Sequence, residues 1–130
     1  MRTAIFGQGY VASILAVGLQ RIKDGEIGYE GIPLADTIPR SIEDIELVLA
    51  FDIDERKVGR RLSEIAEEYW GKMDFDCDYE VKMGFSSEGM KESRGTDADC
   101  GTEDLEEVIG RLVDEYERND VEIFLSLIHI

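Results

Sequence analysis

The sequence predicts an α/β fold in which one parallel sheet of about four strands is covered by helices on both faces. Three observations carry this. Short apolar segments alternate with amphipathic ones along the chain, and the first apolar segment runs directly into a glycine-spaced turn. A length of 130 residues fits one domain and is enough to bury a core.

The first strand is expected at Thr3 to Phe6, short and apolar as for a strand buried on both faces. Gly7-Gln8-Gly9-Tyr10-Val11-Ala12 follows and opens a helix reaching about Lys23, with Val11, Ile14, Leu15, Gly18, Leu19 and Ile22 at helical spacing. Lys23-Asp24-Gly25 reads as its end. Residues 25–44, with Gly25, Gly28, Gly31, Pro33 and Pro39, are expected to be irregular, with one capped turn at Ser41-Ile42-Glu43-Asp44.

The second strand is Leu47 to Phe51, ending at Asp52. A second helix is expected from about Glu55 to Trp70, with Asp54 as its N-cap and Val58, Leu62, Ile65, Ala66 and Tyr69 as its apolar stripe. A third strand is placed at Tyr79 to Met83, before Gly84-Phe85-Ser86-Ser87-Glu88-Gly89-Met90. Residues 91–103 are polar and acidic and are expected to form a mobile loop. Asp104 to Arg118 reads as a helix with Leu105, Val108, Ile109, Leu112, Val113 and Tyr116 on one face. Val121 to Leu125 is the fourth strand. Right-handed crossovers from a first strand that ends in a glycine turn give the order 3-2-1-4. No repeat or second domain is visible.

The formal net charge is −16, from 14 Lys and Arg against 30 Asp and Glu. Such a field repels phosphate backbones, so no nucleic-acid partner is expected. The acidity reads either as a well-solvated surface or as adaptation to salt. No apolar run approaches the roughly 20 residues of a membrane span, so no membrane partner is expected. Met1-Arg2-Thr3-Ala4-Ile5-Phe6-Gly7 passes straight into a strand without a signal-peptide pattern, which predicts a cytoplasmic location. Cys77 and Cys100 form no C-x-x-C pair, and His129 is the single histidine. They suggest no metal site and no nucleophile. Both cysteines read as reduced, with a disulfide between them as the alternative.

Chemistry points to the glycine turn. Gly-x-Gly-x-x-Ala leaving a buried strand and opening a helix is the dinucleotide-binding context of a Rossmann-like fold. Gly7 permits the tight turn, Gly9 lets the backbone approach a pyrophosphate, and Ala12 keeps helix and strand close. Free N–H groups at the helix start then meet the negative charge. Asp52, at the end of the second strand, can accept hydrogen bonds from both ribose hydroxyls, and its charge disfavours a 2′-phosphate. NAD is therefore expected over NADP, a preference weakened by nearby Arg56 and Lys57. An acid in this role usually follows the glycines by about 20 residues. Asp52 comes later because residues 25–44 form an insertion.

These strings resemble one family. G-Q-G-Y-V-A-S-I-L-A-V-G, from Gly7 to Gly18, is similar to the glycine loop and first helix of prokaryotic-type inositol-3-phosphate synthases. A-F-D-I-D-E-R-K-V-G-R-R-L-S, from Ala50 to Ser63, closely resembles the family's A-F-D-V-D-x-x-K-V-G-x-x-L-S segment. Gly84 to Met90 weakly resembles its G-P-x-x-D-G loop, and Val121 to Ser126 the strand before its nicotinamide-side loop. The resemblance spans nearly the whole chain but only the first part of such an enzyme. It implies NAD as cofactor, contacted by Gly7, Gln8, Gly9, Tyr10, Val11, Ala12, Asp52, Ile53 and Ser126. It implies glucose 6-phosphate as substrate of the complete enzyme, a homo-oligomer. That substrate is oxidised at C5, closed by aldol attack and reduced again to 1L-myo-inositol 1-phosphate. The family's catalytic lysines and acids match no position here, so the chain alone is expected to be non-catalytic.

Two departures stand out. Tyr10 replaces a frequent asparagine, and Ser126-Leu127-Ile128-His129-Ile130 replaces a loop that normally carries proline and glycine. An apolar tail just past the fourth strand, whose edge would be left unpaired, is the pattern expected of a truncated sheet. Two other readings stay open: a different NAD(P)-dependent oxidoreductase domain, and a small non-catalytic nucleotide-binding module.

Overall fold

Strands β1 (Arg2–Phe6), β2 (Glu46–Asp52), β3 (Val81–Met83) and β4 (Ile123–Ser126) pair in parallel in the order β3-β2-β1-β4. Helices α1 (Tyr10–Lys23), α2 (Leu62–Glu67) and α3 (Leu105–Arg118) lie between them in sequence. The computed structural model describes residues 1–37, 41–84 and 105–127. The expected Rossmann-like α/β sheet and its order are therefore what the chain forms. Residues 91–103, Phe85 to Met90, Cys100 and His129 lie outside the described residues.

Alternation along the central strands divides the core in two. Ile5, Leu47 and Ala50 face Ala12, Ala16 and Val17 of α1 and Leu62, Ile65 and Ala66 of α2. Ala4, Phe6, Val48, Leu49 and Phe51 face Val108 and Leu112 of α3. Val48 and Leu49 share one face because β2 carries an extra residue there: Thr3 is paired with Leu47, but Ala4 with Leu49. Large side chains such as Phe51, Ile5, Leu62 and Val81 are fully enclosed, each contributing roughly 1.5–3 kcal/mol of transfer free energy.

Helix α1 runs as expected, and Leu19 and Ile22 of its expected stripe are buried, but Val11 is exposed. The buried face is shifted to include Ala12, Ser13, Ala16 and Val17, and the small side chains among them let the helix approach the sheet closely. The capped turn at Ser41 is present: its hydroxyl accepts from Glu43 N, and Asp44 accepts from Ser41 N.

The second helix is much shorter than its periodicity predicts. Residues 55–59 form turns, with Lys57 N and Val58 N both donating to Asp54 O. Gly59, at φ +82°, takes the chain out of helical geometry. The segment is then tied to the sheet, as Gly59 N donates to Val81 O and Val81 N to Arg60 O. Arg61 bridges Glu80, so α2 can begin only at Leu62. Asp54 consequently caps no helix, and Asp78 receives Ser63 N at 2.8 Å and Ser63 Oγ at 2.9 Å instead. The third strand is also shorter than expected, since Tyr79 and Glu80 contact α2 and Arg61 rather than β2. On α3, Val108 and Leu112 are buried, but Ile109 and Val113 are exposed, because the sheet covers a narrower stripe than the sequence presents.

Candidate functional site

The carboxyl ends of β1, β2 and β4 form one edge of the sheet, where an open α/β fold leaves a crevice beside its first strand. Gly7 follows β1 there at φ +102°, a backbone state that only glycine adopts cheaply. Its N–H donates to Phe51 O at 2.7 Å, placing the glycine turn beside the end of β2. Gly9 caps α1 in extended conformation (φ −106°), which any residue can take. A Cβ built at Gly9 would meet nothing within 4 Å. The fold itself thus needs no glycine at this position, whereas a ligand lying against the backbone would.

The first helical bond is Ser13 N to Gly9 O at 3.0 Å, so the amides of Tyr10, Val11 and Ala12 have no acceptor within the helix. No side chain caps them, and no acidic residue sits in the first turn. They carry the positive end of the helix dipole, about half an elementary charge. Tyr10 is exposed and meets the Tyr69 ring edge-on at 5.5 Å. Val11 is exposed, and Ala12 is fully enclosed against the sheet. Gln8 differs from the expected pattern in one respect. The whole residue is buried, so it presents no surface of its own to the crevice.

Asp52 ends β2 and is 6% exposed. One carboxylate oxygen accepts Asp54 N at 2.9 Å and the other accepts Lys57 Nζ at 3.1 Å. A carboxylate has roughly four acceptor sites, so both oxygens keep capacity for a ligand. Arg56 grips Asp54 through Nε at 2.9 Å and Nη2 at 2.8 Å. That guanidinium hydrogen bond holds the Asp54 carboxyl below the usual carboxylate range. Lys57 and Arg56 are thus both paired with acids. Ile53, half-buried, packs on the α3 side of the core. Ser126 is exposed at the end of β4 opposite Phe6, and Leu127 N donates to Phe6 O at 2.8 Å. All nine expected cofactor-binding residues therefore lie at this one edge or in the first turn of α1.

The sequence did not reveal two partners. Lys57 was legible as a nearby cation but not as the one that holds Asp52. Tyr79 Oη donates to Gln8 Oε1 at 2.8 Å across 71 residues, and Gln8 Nε2 donates to Ser13 Oγ at 3.3 Å; no local pattern signals either contact. Elsewhere, Cys77 is a free thiol whose proton is held more tightly because of burial. It borders a small cavity with Gln20, Leu47 and Leu62, well away from the glycine turn. No helix among the described residues is long and apolar enough to cross a membrane.

No family model matches the chain, and no curated protein matches it in sequence. Among solved structures, the chain resembles Ari2 at 18% identity and a TM-score of 0.61, over 98% of this chain and 37% of that one, a likeness of fold alone. It is also similar to a myo-inositol-1-phosphate synthase-related protein from Thermotoga maritima. That match has 31% identity and a TM-score of 0.78, covering 97% of this chain but 34% of the other, so the chain spans about a third of its relative's length.

Proposed function

We propose that the chain is the NAD-binding region of an inositol-3-phosphate synthase, working as the first part of a longer enzyme. The observation that carries this reading is the turn at Gly7 and Gly9, whose uncapped helix amides open beside the buried Asp52 carboxylate. In this reading the amides of Gly9 to Ala12 would hold the pyrophosphate, and Asp52 would accept the adenosine ribose hydroxyls. Ile53 and Tyr10 would border the adenosine side, and Ser126 the nicotinamide side. The Asp52 carboxylate at the end of β2, with Lys57 drawn onto it, supports NAD over its 2′-phosphorylated form, and the exposed Arg56, paired with Asp54, is the cation that weakens that preference.

Bound NAD supplies a hydride acceptor and, once reduced, a hydride donor. This chain's own residues bind and orient it. In this reading the conversion of glucose 6-phosphate to 1L-myo-inositol 1-phosphate, and the homo-oligomer, belong to the complete enzyme. The likeness to the Thermotoga protein supports the family, and the net charge of −16 supports a small-molecule ligand over nucleic acid.

The test is calorimetric titration of the chain with NAD and NADP, repeated on Asp52→Asn. Asparagine is preferable to alanine because it can still accept Asp54 N. NAD is expected to bind more tightly than NADP. The substitution should weaken NAD about tenfold, as neutral hydrogen bonds replace charged ones worth roughly 1.5–3 kcal/mol each. A folded chain that ignores NAD would end the reading.

A further inference from the structure

We propose that Tyr79 is a positioning residue for the dinucleotide site, holding the glycine turn in shape through Gln8 without touching the ligand. The inference rests on the dinucleotide reading above. Gln8 is flanked by two glycines, so the backbone on either side resists distortion weakly. A Cβ at Gly9 would touch nothing, and α1 begins without a side-chain cap. The one side chain between the glycines is Gln8, and it points inward, fully buried.

Its two polar atoms are both engaged. Oε1 accepts from Tyr79 Oη at 2.8 Å, and Nε2 donates to Ser13 Oγ at 3.3 Å. Ser13 is 1% exposed and sits in the first turn of α1. Tyr79 is 7% exposed, and its backbone is fixed independently, because its carbonyl accepts Leu62 N at 3.0 Å at the start of α2. A line of buried hydrogen bonds thus runs from the α2–β3 junction, through the glycine turn, into the helix whose amides face the crevice. Without the Tyr79 hydroxyl, Gln8 Oε1 would be enclosed without a donor. The amide would then turn toward another donor and carry the turn with it. Burial pushes the Tyr79 hydroxyl well above its ordinary range, so it remains a proton donor across working pH.

The experiment is a double-mutant cycle on NAD affinity with Tyr79→Phe, Gln8→Met and the double variant, each titrated below its melting midpoint. A merely structural role would lower the midpoint and leave the affinity of the folded protein unchanged. The proposal expects each single variant to bind NAD about fivefold more weakly, and the double variant no more weakly than the worse single one. Affinity of Tyr79→Phe within about twofold of wild type would overturn it, and so would losses that simply add. If Tyr79→Phe does not fold, Gln8→Met decides, and unchanged NAD affinity there overturns the proposal. Wild-type protein that binds no NAD would overturn the dinucleotide reading and this inference together, whereas the other failures touch this inference alone.

Discussion

Buried polar groups need partners, and at the scale of single residues this rule organises the crevice. Asp52 is kept charged-paired by Lys57, and Gln8 is held at both ends by Tyr79 and Ser13. The titration of Tyr79 gives a check that needs no ligand. Its folded-state pKa is raised by burial, whereas in the unfolded chain it returns to about 10. Its contribution is thus fully present below pH ~10 and is lost as pH rises toward the folded value, at about 1.4 kcal/mol per pH unit. Urea unfolding followed between about pH 9 and 11.5 should show a falling alkaline limb that flattens in Tyr79→Phe. Tyr116, also raised by burial, accounts for part of the remaining slope. An identical limb in the variant would mean that Tyr79 is not enclosed as described.

Among the elements, the two ends of the legibility scale are β2 and α2. Strand β2 is apolar from Leu47 to Phe51 and forms where its composition says, because it is buried on both faces. The helix expected from Glu55 to Trp70 took in residues 55–61 as well, yet with Gly59 bonded to Val81 residues 55–59 form turns and Arg61 bridges Glu80. A tertiary hydrogen bond here overrides local period. Glycines also separate by context. A Cβ at Gly84 would lie 2.6 Å from Phe6 Cζ, against the tip of that buried ring. A Cβ at Gly110 on α3 would meet nothing. Gly84→Ala is therefore expected to cost about 1–3 kcal/mol through overpacking. Gly110→Ala should gain up to about 1 kcal/mol of helix propensity. Urea denaturation of both variants checks the pair, and equal effects would contradict the packing around Phe6.

For the whole molecule, charge and edge dominate. Local ion pairs such as Arg21–Glu26 and Arg60–Glu68 are exposed, worth about 0–1 kcal/mol each. They cannot offset the self-repulsion of a chain with net charge −16. Raising salt from about 0.1 to 1 M shortens the screening length from about 10 to 3 Å. The unfolding midpoint should therefore rise by several degrees, and a fall would show that the pairs outweigh the repulsion. Strand β4 presents exposed Ile123 and Phe124, and α3 presents exposed Ile109 and Val113. No element among the described residues covers these side chains.

The sequence by itself determined the alternation of strands and helices, the sheet order, the glycine turn with Asp52, and the capped turn at Ser41. Each of these is written in neighbouring residues, as a hydrophobic period, a glycine spacing or a cap three residues long. Tertiary structure alone decided where α2 starts, which face of α1 is buried, that Lys57 holds Asp52, and that Tyr79 pins Gln8 from 71 positions away. Those outcomes depend on which buried donors and acceptors meet once the sheet has assembled. A linear pattern carries no record of that meeting.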